Sequence, residues 1–405
     1  MHAGIDYQRY LAEKEATHAE WKDWEKKHGA KAIQLGLMPT SEERSSVDYE
    51  EDMRQRIFLS KQDVERARAA NPHANFSIDV VYSIMTKEEF ATKIMNSFAK
   101  GNSTITTRLP TPKPRNLRAQ YNFTSSTNNE AVPLGESMAA AKFPVTAMSA
   151  TSATRSPSFG RHGSPAASTK KQSVSTKPTS KPITASNEAA TVTQTVDWSR
   201  SACMSPIQNQ GQCGDCWAFA ATAAVESAQC IAGGQKSLHK YSEQQLVSCN
   251  TQNHGCNGGA PQYAFDYILK NGGFCSETAF PYASSEGHVP SCARCNNANT
   301  GIKDYKVLDK GDEAGLIQAI NQRPTVVTVA AGNEAWKQYT GGVLSSCDTS
   351  ALDHLVVAVG YDATSLKIRN SWGDNWGEDG YIRLKRKASG SGTCSVLQQM
   401  VPLEV

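Results

Sequence analysis

The sequence predicts an α+β protein in three parts. A helical N-terminal segment (residues 1–98) is followed by a disordered basic linker (99–191) and a cysteine-rich body of two subdomains with a cleft between them (192–405). Three observations carry this division. Between about Ala99 and Gln194, Ser, Thr, Pro, Ala and Lys displace the large apolar residues. In the C-terminal part, helix signals come first and strand signals second, the order of an α+β body. All 11 cysteines lie after residue 202.

Taken in order, Trp21 to His28 reads as a helix stopped by Gly29. Ser45 to Ala70 carries charges at almost every second position, predicting a long exposed helix that Asn71-Pro72 ends. Phe76 to Met85 is apolar and β-branched, hence a short strand, and Thr86-Lys87-Glu88-Glu89 opens another helix as a capping box. The stretch that follows cannot bury enough surface to offset its ordering entropy and is expected to be disordered. It holds twelve Lys/Arg against three Asp/Glu, whereas the chain from Thr195 onward holds sixteen against nineteen. Asn75, Asn102 and Asn122 begin Asn-x-Ser/Thr sequons, which chance alone also produces in Ser/Thr-rich sequence. In the body, Trp217 to Cys230 predicts a helix ended by Gly233-Gly234. Ser242 to Gln245 is a capping box for a second helix, and Pro261 to Lys270 predicts a third. Thr325–Ala331, Leu355–Tyr361, Leu366–Arg369 and Tyr381–Lys385 read as strands.

Composition excludes several functions. No run of about 18 apolar residues is present, so no membrane span is expected. A net charge of +3 gives no case for nucleic acid. An odd, dense cysteine set predicts a disulfide-stapled domain with one thiol left over. Cys213-x-x-Cys216 and Cys292-x-x-Cys295 have zinc-like spacing when read alone. The first six residues lack the pattern of a secretory signal. That conflicts with the oxidising compartment that the cysteines imply, and a leader absent from this chain or another export route would reconcile them.

The chemistry concentrates in three blocks. Gln210 to Phe219 places Cys216 at the start of a helix, directly after a glycine-bearing turn. The partial positive charge of a helix N-terminus favours thiolate over thiol. His354 heads the apolar run Leu355 to Tyr361, where a lone histidine is more often a packing residue. Asn370, in Arg369-Asn370-Ser371-Trp372-Gly373, supplies the third group of a Cys-His-Asn set by orienting the imidazole.

These blocks resemble the papain-like cysteine peptidases over residues 192–405. His354 follows Cys216 by 138 residues and Asn370 follows it by 154, against the 130–150 or so of the family pattern. The resemblance implies a papain-like fold with a helical part and a barrel-like β part. It implies Cys216 as nucleophile, His354 as base, Asn370 as orienting group and Gln210 as oxyanion-hole glutamine. Trp372 matches the indole that shields the His354–Asn370 hydrogen bond, and Trp376 a cleft-wall tryptophan. Gly258 and Gly259 match the pair that lets an extended substrate approach the backbone. Ala260, Pro261, Thr328, Leu352 and Gln399 would line the specificity pocket, with Asp353 also on the substrate-binding side. One position departs: Asp215 stands where the motif has Ser or Ala. An acid there opposes thiolate formation slightly unless its side chain turns to solvent.

The same resemblance implies bridges Cys213–Cys256 and Cys347–Cys394. Cys249 pairs with Cys292 or Cys295, and Cys203–Cys230 and Cys275–Cys295 complete five bridges, leaving Cys216 and no zinc site. In the N-terminal segment Glu50, Arg54 and Phe58 keep the opening spacing of the family's inhibitory propeptide, and Trp21 and Trp24 match its aromatic core. Lys61 replaces an Asn of that pattern and Ile84 an Asp. Together these features imply a cathepsin L-like endopeptidase zymogen without cofactor or metal. It is expected to be monomeric, secreted or lysosomal, inhibited by its own propeptide in cis, and to act on proteins or peptides. No His-His pair marks the carboxydipeptidase branch, and no cysteine precedes Cys203 as the aminopeptidase branch requires. The rival readings are a catalytically silent binding homologue and a linker that anchors the precursor to acidic polymers.

Overall fold

The computed structural model describes residues 2–39, 45–95 and 195–405. The linker expected over 99–191 and the sequons at Asn102 and Asn122 lie outside these residues. Helices α1 (Tyr7–Gln34) and α2 (Ser46–Ala70) open the N-terminal segment, capped by the side chains of Asp6 and Ser45. Tyr10 of α1 meets Phe58 of α2 edge-on at 5.3 Å, and Trp21 and Trp24 are buried. Lys61 ties α2 to Glu13 and Glu20 of α1 at 3.0 and 2.8 Å, so this departure from the family pattern has acquired its own partners.

Three local expectations are corrected here. Gly29 does not stop α1: it is buried inside the helix, and the packing of Ala32 beyond it outweighs the glycine's poor helix propensity. Helix α2 is not exposed. Met53, Ile57, Val64 and Ala67 form an apolar stripe at helical spacing, and charges between them hid it. Phe76 to Met85 is not a strand. Strand β1 covers only Ala74–Phe76, and a 3₁₀ turn follows at Val81–Ile84. Asp79 breaks the extended run by turning to Lys27 and His28 of α1 at 3.0 and 2.7 Å. Thr86 and Glu89 then form a reciprocal capping box on α3 (Lys87–Lys93).

The body begins with β2 (Val196–Asp197), followed by α4 (Cys216–Ala232), α5 (Glu243–Cys249) and α6 (Pro261–Lys270). Ser242 caps α5, but Gln245 does not complete a capping box; its side chain bonds Cys275 N and Asn297 instead. After β3 (Asp304–Tyr305) come α7 (Glu313–Gln322), β4 (Thr325–Val329), α8 (Glu334–Lys337) and β5 (Tyr339–Leu344). Strands β6 (His354–Tyr361), β7 (Ser365–Arg369), β8 (Tyr381–Lys385), β9 (Met400–Val401) and β10 (Leu403–Glu404) complete the chain. Helices α7 and α8 and strand β5 had no sequence expectation.

The main sheet runs β1-β5-β8-β7-β6-β4-β9, with β2 also on β6; β3 and β10 form a separate ribbon. All eight residues of β6 are buried, which explains its unbroken apolar run. Leu355, Val357 and Val359 share a core with α4, and Val356 and Ala358 share the other core with the N-terminal segment. That segment adds β1 to the sheet edge, pairing Ala74 with Gly342. A Cβ at Gly342, whose φ is +83°, would lie 2.4 Å from His73 O, so the pairing requires glycine. The bridges are Cys203–Cys230, Cys213–Cys256, Cys249–Cys292, Cys275–Cys295 and Cys347–Cys394, with Cys216 outside them. Among the described residues no helix is long and apolar enough to cross a membrane.

Phe58 is fully buried against Tyr10 where α1 meets α2. Phe58→Ala is expected to cost the precursor about 3–5 kcal/mol, read from urea unfolding by far-UV circular dichroism. Ile33→Ala, at a position 68% exposed, should change stability by no more than about 0.5 kcal/mol.

Candidate active site

Cys216 is the first residue of α4 and is buried there. The turn before it is held by the Cys213–Cys256 bridge and by Gly214 N donating to Cys256 O at 3.0 Å. Its Sγ accepts from Leu355 N of β6 at 3.3 Å. The thiol therefore sits where helix and sheet meet, against the residue that follows His354.

His354 Nε2 is 2.7 Å from Asn370 Oδ1. The same Oδ1 accepts from Ser371 N at 2.8 Å, which identifies it as the acceptor and gives the proton to Nε2. Nδ1 is left with no hydrogen-bond partner. Trp372 stacks on the imidazole at 4.8 Å, and Trp336 stands edge-on to it at 6.2 Å. Burial lowers the His354 pKa to about 4, with the Asn370 hydrogen bond opposing that shift.

Gln210 is fully buried and held from several sides. Its Nε2 donates to Cys213 O at 2.9 Å, its Oε1 accepts from Ser371 Oγ at 2.6 Å, and its backbone N donates to Ser371 O at 2.9 Å. The N-terminal segment reaches the same amide: Ile94 O lies 3.5 Å from Nε2. Tyr82 and Phe90 pack edge-on against Trp372 at 5.9 and 5.4 Å. Trp376 is buried, stacked on Trp336 at 5.8 Å with its N–H donated to Trp336 O. In this state it presents no open wall.

The other expected substrate contacts are arranged as follows. Gly258 and Gly259 precede Ala260 and Pro261, the residues that lead into α6. A Cβ at Gly259 would press within 2.8 Å of Trp217 and Asn253, so its bareness also serves packing. Thr328 Oγ1 donates to Gln399 Oε1 at 2.8 Å, and Gln399 Nε2 reaches Gln262 Oε1 at 3.4 Å. Leu352 is half-buried in the loop before β6. The Asp353 carboxylate accepts from Ala331 N and Gly332 N, and burial raises its pKa to about 6.

Asp215 does not turn to solvent. It is fully buried, Oδ2 lies 2.8 Å from Tyr282 Oη, and burial raises its pKa well above the ordinary carboxylate value. The sequence reading missed Ser371, Trp336, Tyr282 and Gln262. Ser371 adjoins Asn370 and was within reach of inference; the others come from segments with no motif of their own.

Residues 192–402, slightly more than half of the chain, match the family described as papain family cysteine protease. Germination-specific cysteine protease 1 of Arabidopsis thaliana is 43% identical over 213 residues, covering 51% of this chain and 56% of its own length. Zingipain-1 of Zingiber officinale is 41% identical over 208 residues, 50% of this chain and 91% of that protein. The chain spans about half the length of several of the relatives it matches. The proform of the ragweed pollen Amb a 11 cysteine protease shares the fold over 100% of this chain and 89% of its own, with TM-score 0.67 at 22% identity. Digestive procathepsin L2 of Tenebrio molitor does so over 96% and 100%, with TM-score 0.64 at 22% identity. The helical segment and the body are thus arranged as in these proforms, and the chain belongs to the papain family of cysteine proteases.

Proposed function

We propose that this chain is the zymogen of a cysteine endopeptidase, with 1–98 as inhibitory propeptide, 99–191 as tether and 192–405 as catalytic domain. The observation that carries the reading is the His354–Asn370 pair at 2.7 Å, its Nδ1 unpartnered, at the same helix–strand junction as Cys216. Cys216 gives its proton to His354, and the thiolate attacks the peptide carbonyl. Gln210 Nε2 and the Cys216 N–H stabilise the tetrahedral oxyanion. His354 then protonates the leaving amine, and water activated by the same imidazole hydrolyses the thioester. Asn370 keeps the imidazole in the competent tautomer. In the zymogen the propeptide carbonyl of Ile94 faces the amide that would receive the oxyanion, which supports inhibition by occupancy. Five disulfides support an oxidising compartment, secreted or lysosomal.

The pocket assigned to Ala260, Pro261, Thr328, Leu352 and Gln399 mixes apolar walls with a hydroxyl and an amide already bonded to each other. It carries no charge, and its preference is for medium-sized hydrophobic side chains.

Two buried groups oppose each other as pH falls. His354, held near 4 against its ordinary 6.5, is protonated only in the unfolded chain across that window, so its contribution to stability is lost on acidification. Asp353, raised to about 6 from 3.8, holds its proton in the folded state between those values and adds stability on acidification.

An epoxide thiol reagent should label the matured protein at one site and leave Cys216→Ala unlabelled. Gln210→Ala should lower kcat by about 10²–10³ with labelling retained. A peptide-library profile should favour medium aliphatic residues at the pocket position; a strict requirement for a charged residue there would refute that assignment. Asp353→Asn should steepen the fall of the precursor's melting temperature between pH 6 and 4, since it removes the opposing group. Equal slopes in mutant and wild type would contradict the pairing of effects.

A further inference from the structure

Tyr282 Oη lies 2.7 Å from the carbonyl oxygen of Gln210 and 2.8 Å from Asp215 Oδ2. A phenol carries one proton and a carbonyl none. Two oxygen–oxygen contacts of that length around one hydroxyl require two protons, so the second belongs to the carboxyl. The surroundings agree. Asp215 is fully buried, its Oδ1 has no partner, and the charged group whose field reaches it is Glu243, of like sign. Lys240, the nearby cation, bonds Glu243 and Glu226 at 2.5 and 3.0 Å. Asp215 is the N-cap residue before Cys216 at the start of α4, and Glu277 accepts from Tyr282 N at 2.9 Å. The Tyr282 ring is held edge-on to Phe219 at 4.9 Å, which fixes where its hydroxyl points.

We infer that Asp215 serves as an un-ionised acid clamp: it donates its proton to Tyr282 Oη, Tyr282 donates to Gln210 O, and the two bonds fix the backbone of the oxyanion-hole glutamine. The inference rests on the role proposed for Gln210. The side chain of Gln210 is held by Ser371 and Cys213, and the clamp holds its backbone carbonyl. Asp215 and Tyr282 are positioning residues that act through Gln210. Loss of the Asp215 proton leaves a carboxylate and a carbonyl competing for one phenolic proton, and Gln210 loses its donor. The acid next to the nucleophile therefore adds no negative charge at the site while the clamp is closed.

The test uses the full chain. In the infrared difference between wild type and Asp215→Asn at neutral pH, the band of a protonated carboxyl is expected to disappear; disappearance of carboxylate bands instead would overturn the clamp. After maturation, Cys216 is counted with the epoxide reagent so that rates refer to intact sites. Tyr282→Phe and Asp215→Ala should then each lower kcat about tenfold while KM stays within about twofold. Asp215→Asn, whose amide still donates to Tyr282, should recover most of that loss. Wild-type kcat in Tyr282→Phe with normal labelling overturns the clamp. A wild type that takes no label sinks the catalytic reading instead, and the infrared result still decides the state of Asp215.

Discussion

The packing of α4 against β6 is the constraint on which the rest depends. It is a helix laid on a fully buried strand, with the Cys216 Sγ to Leu355 N hydrogen bond at its upper end. Because β6 is buried on both faces, its side chains alternate between two cores and its register cannot slip without inverting them. That register sets where His354 emerges. β6 pairs with β7, so Asn370, one residue past the end of β7, lies opposite the start of β6. A catalytic-type geometry is thus a by-product of strand register and helix position, and the loops only refine it.

The N-terminal segment packs on the tryptophan that covers that junction. Tyr82 and Phe90 close over Trp372, which already stacks on His354. The imidazole behind Trp372 is fully buried, and its charged form is disfavoured. An aromatic wall able to exclude water from a hydrogen bond also excludes the solvent that would support the charge.

Much of this was legible in the sequence for specific reasons. Strands buried on both faces and helices with strong stops, such as Trp217 to Cys230, leave unambiguous patterns. The site blocks were legible because helix N-terminus, imidazole and amide are chemically distinctive even when far apart in the chain. What escaped notice depended on tertiary contacts. Helix α2 looked exposed because its stripe is interleaved with charges, and Arg56 among them is itself buried against Asp52 and Glu89. Strand β5 takes its meaning from β1, more than 250 residues earlier in the chain. Tyr282 matters only because the fold brings Asp215 and Gln210 to either side of its hydroxyl.

The contact between segment and body divides its tasks between apolar and polar groups. Lys337 is buried at that interface, with Nζ 2.6 Å from Met85 O and 3.5 Å from Asp63. Burial lowers the Lys337 pKa and raises that of Asp63, the signature of desolvation only partly offset by the pair's attraction. Such a pair adds little net stability, since both charges regain water on separation. Asn71 Oδ1, accepting from Ser345 N and Ser346 N at 2.9 and 2.7 Å, likewise exchanges protein donors for water. These bonds fix register, because a displaced segment would leave them buried and unmatched. Apolar contact supplies the strength of docking: Phe90 and Tyr82 pack on Trp372, and Ile94 and Met95 are buried in the same core, at about 1.5–3 kcal/mol for each large side chain buried.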